Sequence, residues 1–293
     1  MKSLREVIKE VEQKKTAIGH FNVSNLEQLK AVANAAGNLN LPVIVGVSEG
    51  EREYIGIPQI VSLVKNYRAQ GIRMYLNADH TRSLENVEKA ACAGFDSVIF
   101  DAANLPFEEN VRNTIDARNF IKKYSSWRHK ILFEGELGYI GTSSEIRTAL
   151  PEGAAVRPED LTKPEEALKF VKATGVNMLA PAVGNVHGMF ANMPDPGLDL
   201  ERIKAIRDAV RIPLVLHGGS GNTDADFRGA IDAGISIIHI STELRVAWRK
   251  ALEETLKSNP NEVAPYELMP GVIKAVQNVV ERRMRLFADL PSS

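Results

Sequence analysis

Short apolar runs rich in Val, Ile and Leu alternate with amphipathic stretches along nearly the whole chain. Eight runs are legible: TAIGHFNV (16–23), PVIVGVS (42–48), RMYLNAD (73–79), SVIFDA (97–102), KILFEGEL (130–137), VNMLAPAV (176–183), IPLVLHG (212–218) and ISIIHIS (235–241). Helical patterns such as LEQLKAVANAAG, SLENVEKAACAG, PEEALKFVKATG and ERIKAIRDAV stand between them. Strand and helix in regular alternation is the pattern of βαβ units and a parallel sheet. Boundary signals agree, with Thr162 and Glu165 spelling a capping box around Pro164, and Gly71, Gly94, Gly175 and Gly234 standing where helices stop. Eight units in this length predict a (β/α)8 TIM barrel, whose usual size is ~250 residues plus insertions. A doubly wound open sheet competes, but NVSNLEQ follows the first run where that fold would place Gly-x-Gly-x-x-Gly. With no repeat, low-complexity tract or linker, residues 1–293 read as one domain with long βα loops and a C-terminal helical extension. The loops at 138–163 and 188–199 are the long ones, and the first has the length of a lid.

Composition narrows the setting. The chain is 44% hydrophobic and 25% charged with a formal net charge of -1, so no basic excess attracts nucleic acid or anionic membrane. Any anionic ligand must be held locally. The amphipathic, Glu-containing N-terminus has neither signal-peptide nor transit-peptide character, and no stretch is long and apolar enough to span a bilayer. The single cysteine, Cys92 in KAACAG, reads as a buried helix residue, which suits a reducing cytoplasm.

In a TIM barrel the active site gathers at the carboxyl ends of the strands. His80, His187, His217 and His239 fall at or just beyond such ends and His20 near one, while His129 reads as a surface residue. Any one alone is more simply a satisfied core or loop histidine. Three at rim positions of strands three, six and seven can converge, and three imidazoles with an open position form a catalytic zinc arrangement. Asp79, Asp101, Glu134 and Glu136 obey the same placement rule. Thr81 and Ser83 stand closer to the next helix than Asp79, which frees Asp79 from capping. Glu134 and Glu136 flank Gly135 and share one face, and a buried carboxylate there needs a partner such as a cation. HGGSG (217–221) and ISTEL (240–244) suggest an anion site, because glycine backbone and a helix N-terminus both present N–H groups.

HFNVSNLEQ, NADHT, EGELG, GNVHGMF, LVLHGGSG and GISIIHISTEL, in this order, resemble the class II, metal-dependent ketose-bisphosphate aldolases, the branch with fructose- and tagatose-bisphosphate aldolases most of all. The resemblance spans almost the entire chain. It implies a catalytic zinc on His80, His187 and His217, with Asp79 moving the hydroxyl proton. It further implies a phosphate held by Gly188, Gly218, Gly219, Ser220 and Thr242 beside Ser241, with Asn22 and Ser48 near the substrate. Asp101 and Glu136 match positions that hold a second metal, divalent or monovalent, or an alternative zinc pose. Two positions depart from the pattern: His239 stands where the family has Asn against the dihydroxyacetone moiety, and the lid reads GTSSEIR, so that Glu145 lies one step after the aligned place of the proton-moving glutamate, which Ser144 occupies.

The activity so implied is cleavage of a ketose 1,6-bisphosphate, fructose 1,6-bisphosphate foremost and the tagatose epimer as alternative, by a cytoplasmic homodimer or homotetramer that takes a small phosphosugar. Aldol cleavage needs a base and an electron acceptor within reach of one substrate, and adjacent Asp79 and His80 provide for both. A Schiff-base route is disfavoured because no predicted strand ends in lysine. A metal-dependent hydrolase would show His-x-His on the first strand, where GHFN offers only His20. A non-catalytic phosphosugar sensor is the third reading.

Overall fold

The computed structural model describes residues 1–124, 131–142, 144–192 and 196–291, so His129 and Lys130 lie outside the described residues. The strands are β1 (Ile18–Asn22), β2 (Val43–Val47), β3 (Met74–Thr81), β4 (Ser97–Phe100), β5 (Leu132–Leu137), β6 (Ile146–Arg147), β7 (Met178–Pro181), β8 (Met189–Phe190), β9 (Leu214–Leu216) and β10 (Ile235–Ile240). A closed barrel runs in the order β1, β10, β9, β7, β5, β4, β3, β2, while β6 and β8 pair separately. The barrel pairings are all parallel. This is the TIM barrel expected from the alternation.

Helices connect these strands: α1 (Leu4–Lys14) precedes β1, then come α2 (Leu26–Leu39), α3 (Glu49–Ile55), α4 (Ile57–Ala69), α5 (Leu84–Ala93), α6 (Phe107–Tyr124), α7 (Pro164–Thr174), α8 (Leu200–Val210), α9 (Asp224–Ala233), α10 (Thr242–Ser258) and α11 (Pro265–Phe287). Side chains close several N-termini: Asn25 accepts from the Gln28 N–H, Ser83 from Asn86 and Thr223 from Asp226. The expected capping box at Thr162 and Glu165 does not form. The N-cap of α7 is Lys163, and the Thr162 hydroxyl instead donates to the Leu137 carbonyl and accepts from the Ala182 N–H, stitching β5 to β7. Cys92 is exposed, not buried, because Val87, Ala90 and Ala91 supply the inward stripe of α5. The C-terminal extension completes the helical wall: α11 packs on α2 and β1, with Gln277 and Glu281 accepting from Asn34 and Asn38.

Alternation along the strands sorts the barrel interior from its exterior. Outward residues such as Phe21, Val45, Leu76, Phe133, Leu179 and Ile238 join the large core under the helices. The inward set begins with an apolar floor of Ile18, Ile44, Tyr75, Leu132, Met178, Val215 and Ile237, plugged from below by Leu4, Val7, Ile8 and Val11 of α1. Each of those plug side chains contributes on the order of 1.5–3 kcal/mol of hydrophobic stabilisation. Two residues beyond five of these seven floor positions, the inward side chain is polar: His20, Asn77, Glu134, His217 and His239. Such groups are costly to bury, so their place above a sealed floor marks the carboxyl end as the working end.

Candidate functional site

Consecutive residues of a regular strand face opposite ways, so Asp79 and His80 could not both reach the barrel mouth. β3 escapes this constraint with a bulge. Its register against β4 slips between Ala78 and Thr81, and His80 has a φ of 40°. Arg52, buried on α3, secures the distorted turn: Nη1 donates to the carbonyls of Val47 (2.6 Å) and Asp79 (3.0 Å), and Nη2 to the Thr81 hydroxyl (3.1 Å).

The rings of His80, His187 and His217 converge at the mouth. His80 Nε2 lies 3.1 Å from His187 Nε2 and 3.3 Å from His217 Nδ1. Their remaining nitrogens are engaged elsewhere: His80 Nδ1 faces Asp101 Oδ2 at 3.0 Å, His187 Nδ1 the Gly141 carbonyl at 2.7 Å, and His217 Nε2 the Glu134 carboxylate at 2.9 Å. Those partners hold each ring with one nitrogen aimed at the common centre, which is how metal-ligating histidines are oriented. Three ring nitrogens this close repel as bare lone pairs and are reconciled by one positive charge among them, a proton on His80 or a shared metal cation. Glu136 adds to the fit, since its buried Oε2 has no hydrogen-bond partner among the described residues and sits 3.6 Å from His80 Nδ1.

The field agrees. Burial opposes charge on His80, yet Asp79, Asp101 and Glu136 outweigh it and raise its pKa to about 10. Burial followed by the charge of His80 lowers His187 to about 4, and burial followed by His239 and then His80 holds His217 well below the usual histidine range. Burial also pushes Glu134 up to about 8 and Glu136 well above the ordinary carboxyl value, with neighbouring carboxylates adding to both. Asp101 falls to about 2, because the hydrogen bond and charge of His80, with Arg82, overcome its burial.

Asp79 is buried beside this cluster. Oδ2 accepts from Asn22 Nδ2 at 2.8 Å, and Oδ1 lies 3.5 Å from His239 Nδ1. Despite burial, His80 and His239 hold its carboxyl well below the usual range, so it is an anion. His239 is sandwiched: His20 stacks on it at 3.4 Å between centroids and 4° between planes, and His217 lies at 3.9 Å on a tilt of 30°. Gly46 makes room for His20, because a Cβ there would stand 2.0 Å from the ring. His20, Gly46, Glu51, Arg52, Asn185 and Arg147 were not singled out as site residues from the sequence. Only the buried polar side chains among them carried a signal, as inward strand or loop positions that are costly without partners.

Two contiguous spaces meet at Asp79, His80 and His187. The smaller is lined by Asn22, Gly188, Gly218, Ser220, His239, Ser241 and Thr242. There the Ser220 hydroxyl accepts from the N–H groups of Ser241 (3.2 Å) and Glu243 (3.3 Å) at the start of α10, while the buried Ser241 hydroxyl has no partner among the described residues. Gly218 adopts φ +58° and a Cβ would meet the Val186 carbonyl at 2.3 Å, so the loop needs glycine there. Gly219 spends its N–H on the His239 carbonyl (3.1 Å). The larger space, about 420 Å³, is lined by Ser48, Glu49, Arg82, Thr142, Glu145 and Arg245 among others. The two long loops are joined here, β6 pairing with β8. Arg147 donates to the His187 carbonyl at 2.8 Å and pairs with Glu145 at 3.2 Å.

A sealed parallel barrel that aims three imidazoles and a buried anion at one polar cavity defines an enzyme of the metal-dependent TIM-barrel kind. Comparison with known families makes this specific. Residues 2–290 match the family Fructose-bisphosphate aldolase class-II, and the chain belongs to that family of metal-dependent lyases. It is 36% identical over 291 residues to a fructose-bisphosphate aldolase of Geobacillus stearothermophilus, covering 98% of this chain and 96% of that protein. It is also similar to the crystal structure of the YdjI aldolase from Escherichia coli K12, with a TM-score of 0.79, 33% identity, and coverage of 97% of this chain and 96% of that one.

Proposed function

We propose that the chain catalyses reversible retro-aldol cleavage of fructose 1,6-bisphosphate to dihydroxyacetone phosphate and glyceraldehyde 3-phosphate. The observation that carries this reading is the convergence of three ring nitrogens, on His80, His187 and His217, beside the Asp79 anion. Zinc held by those nitrogens would supply Lewis-acid polarisation of the ketose carbonyl. Asp79 takes the proton from the hydroxyl on the carbon to be freed and returns it in the condensation direction. Asn22 Nδ2 fixes the rotamer of that carboxylate, and His239 borders its second oxygen. Gly188, Gly218, Gly219, Ser220, Ser241 and Thr242 form the seat for the phosphate of the dihydroxyacetone half. The unpartnered Ser241 hydroxyl and the N-terminus of α10 support that assignment. Ser48 lies along the aldehyde half, and Glu145 on the lid moves the carbon-bound proton. Asp101 and Glu136 orient His80 and offer oxygens to a second cation. The resemblance extends the proposal to a cytoplasmic homodimer or homotetramer.

The test is a metal analysis of purified protein followed by a coupled assay with the fructose and tagatose bisphosphates. Zinc at one ion per chain, chelator-sensitive triose phosphate release and preference for the fructose epimer are expected. His217→Ala removes a ligand and leaves Glu134 without its partner, so both metal and activity are lost. Full activity of that variant in chelated buffer overturns the reading.

A further inference from the structure

The buried carboxylate of Glu51, on the first turn of α3, has no place in the chemistry above, yet each of its oxygens is doubly engaged. Oε2 accepts from Asn22 Nδ2 at 3.1 Å and from the Ser48 N–H at 2.8 Å. Oε1 accepts from the Ser24 hydroxyl at 3.0 Å and from Arg245 Nη2 at 2.8 Å. The partners of these partners matter more. Asn22 Nδ2 is the group that holds Asp79 Oδ2, and Arg245 Nη1 donates to the Ser144 carbonyl in the lid at 3.0 Å. Glu51 is therefore the junction of two short chains. One leads through Asn22 to the anion in the reaction centre, and the other through Arg245 to the loop that covers it.

We infer that Glu51 is a positioning residue that ties the orientation of Asp79 to the seating of the lid on Arg245. The kinetic part of this inference rests on the proposed role of Asp79 as the base. A neutral side chain at this position cannot accept four hydrogen bonds: glutamine offers one oxygen, and its amide nitrogen must face donors. Loss of the Oε2 bonds frees Asn22 to turn from Asp79. Loss of the Oε1 bond leaves Arg245, whose side chain is 41% exposed, without the anchor that aims it at Ser144. The two ends act on different quantities. Aim of the base belongs to the chemical step, whereas seating of the lid governs retention of substrate.

The experiment compares Glu51→Gln, Arg245→Met and the double variant with wild type, all metal-loaded and all checked for an intact thermal transition. Limited trypsin digestion reads the lid at Arg147. Each single variant is expected to speed that cleavage about fivefold, and the double no further, because both remove the same tie. In the cleavage assay Glu51→Gln is expected to lower kcat about tenfold, while Arg245→Met raises KM with kcat held within about threefold. Wild-type lid protection in Glu51→Gln, additive effects in the double variant, or matching changes of kcat and KM in the two singles each overturn the inference. If wild type cleaves no ketose bisphosphate, the functional reading fails alone, and the proteolysis still decides whether Glu51 anchors the lid. Should either single variant misfold, Glu51→Asp and Arg245→Lys carry the same comparison, with Arg245→Lys expected to restore part of the protection.

Discussion

Replacing Asp79 by Asn separates the proposed base from the proposed metal site more sharply than any other single change. The amide keeps the volume of the carboxylate between the rings of His80 and His239, and its oxygen can still accept from Asn22, so packing changes little. What disappears is the anion. Loss of a positioned general base costs ~10²–10⁴ in rate, equivalent to ~3–5 kcal/mol of barrier. The three converging ring nitrogens at 3.1 and 3.3 Å are untouched, and Glu134, Asp101 and the Gly141 carbonyl still orient the rings. Asp79→Asn is therefore expected to retain one metal per chain by elemental analysis while kcat for fructose 1,6-bisphosphate falls at least ~100-fold. KM should move far less, since the proposed phosphate seat lies on other residues. A kcat within about threefold of wild type would remove Asp79 from the chemistry. Loss of the metal together with activity would mean that Asp79 acts through the field that attracts the cation.

Two further outcomes are expected. His80 is raised to about 10 by Asp79, Asp101 and Glu136, so at neutral pH the metal-free ring carries a proton that ligation must displace. Apparent zinc affinity, measured against a competing chelator, should weaken about tenfold for each pH unit lowered between roughly 9 and 6; pH-independent affinity would show that His80 binds no proton in the metal-free site. Gly46→Ala puts a methyl 2.0 Å from the His20 ring and should cost ~1–3 kcal/mol, read as a drop in Tm. Adding His20→Ala should recover part of that loss, and no recovery would place the strain elsewhere.

The barrel was legible because its signal is repeated. Inward and outward residues of a parallel strand are both buried at mid-height, so each strand reads as a continuous apolar run, and eight such runs separated by helical periodicity admit few architectures. Strand ends were displaced by only a few residues, as where TAIGHFNV contracts to Ile18–Asn22. Local chemistry misled at Thr162, whose hydroxyl has better partners across β5 and β7 than at the helix start. It misled at Cys92 as well, where an alanine-rich sequence hides which side of the helix faces water. Pairing of β6 with β8 was invisible, since two-residue strands carry no periodicity.

For the site, the rule that polar residues at strand ends converge located His80, His187, His217 and Asp79, but it could not say how neighbours in sequence share a face. That depended on a bulge at Ala78–Thr81 and a positive φ at His80, which are set by the fit of Arg52 against three partners on β2 and β3. The same limit applies to Glu51 and Arg245. Each is an ordinary polar residue in the sequence, and their meaning comes from hydrogen bonds across separations of 29 and 194 positions. Ligands can be recognised by residue type because few side chains bind metal. The residues that aim them are drawn from every polar type, so only the contacts distinguish them. Substitutions that spare all the ligands, such as Glu51→Gln or Arg52→Met, should consequently reach the chemistry through geometry alone.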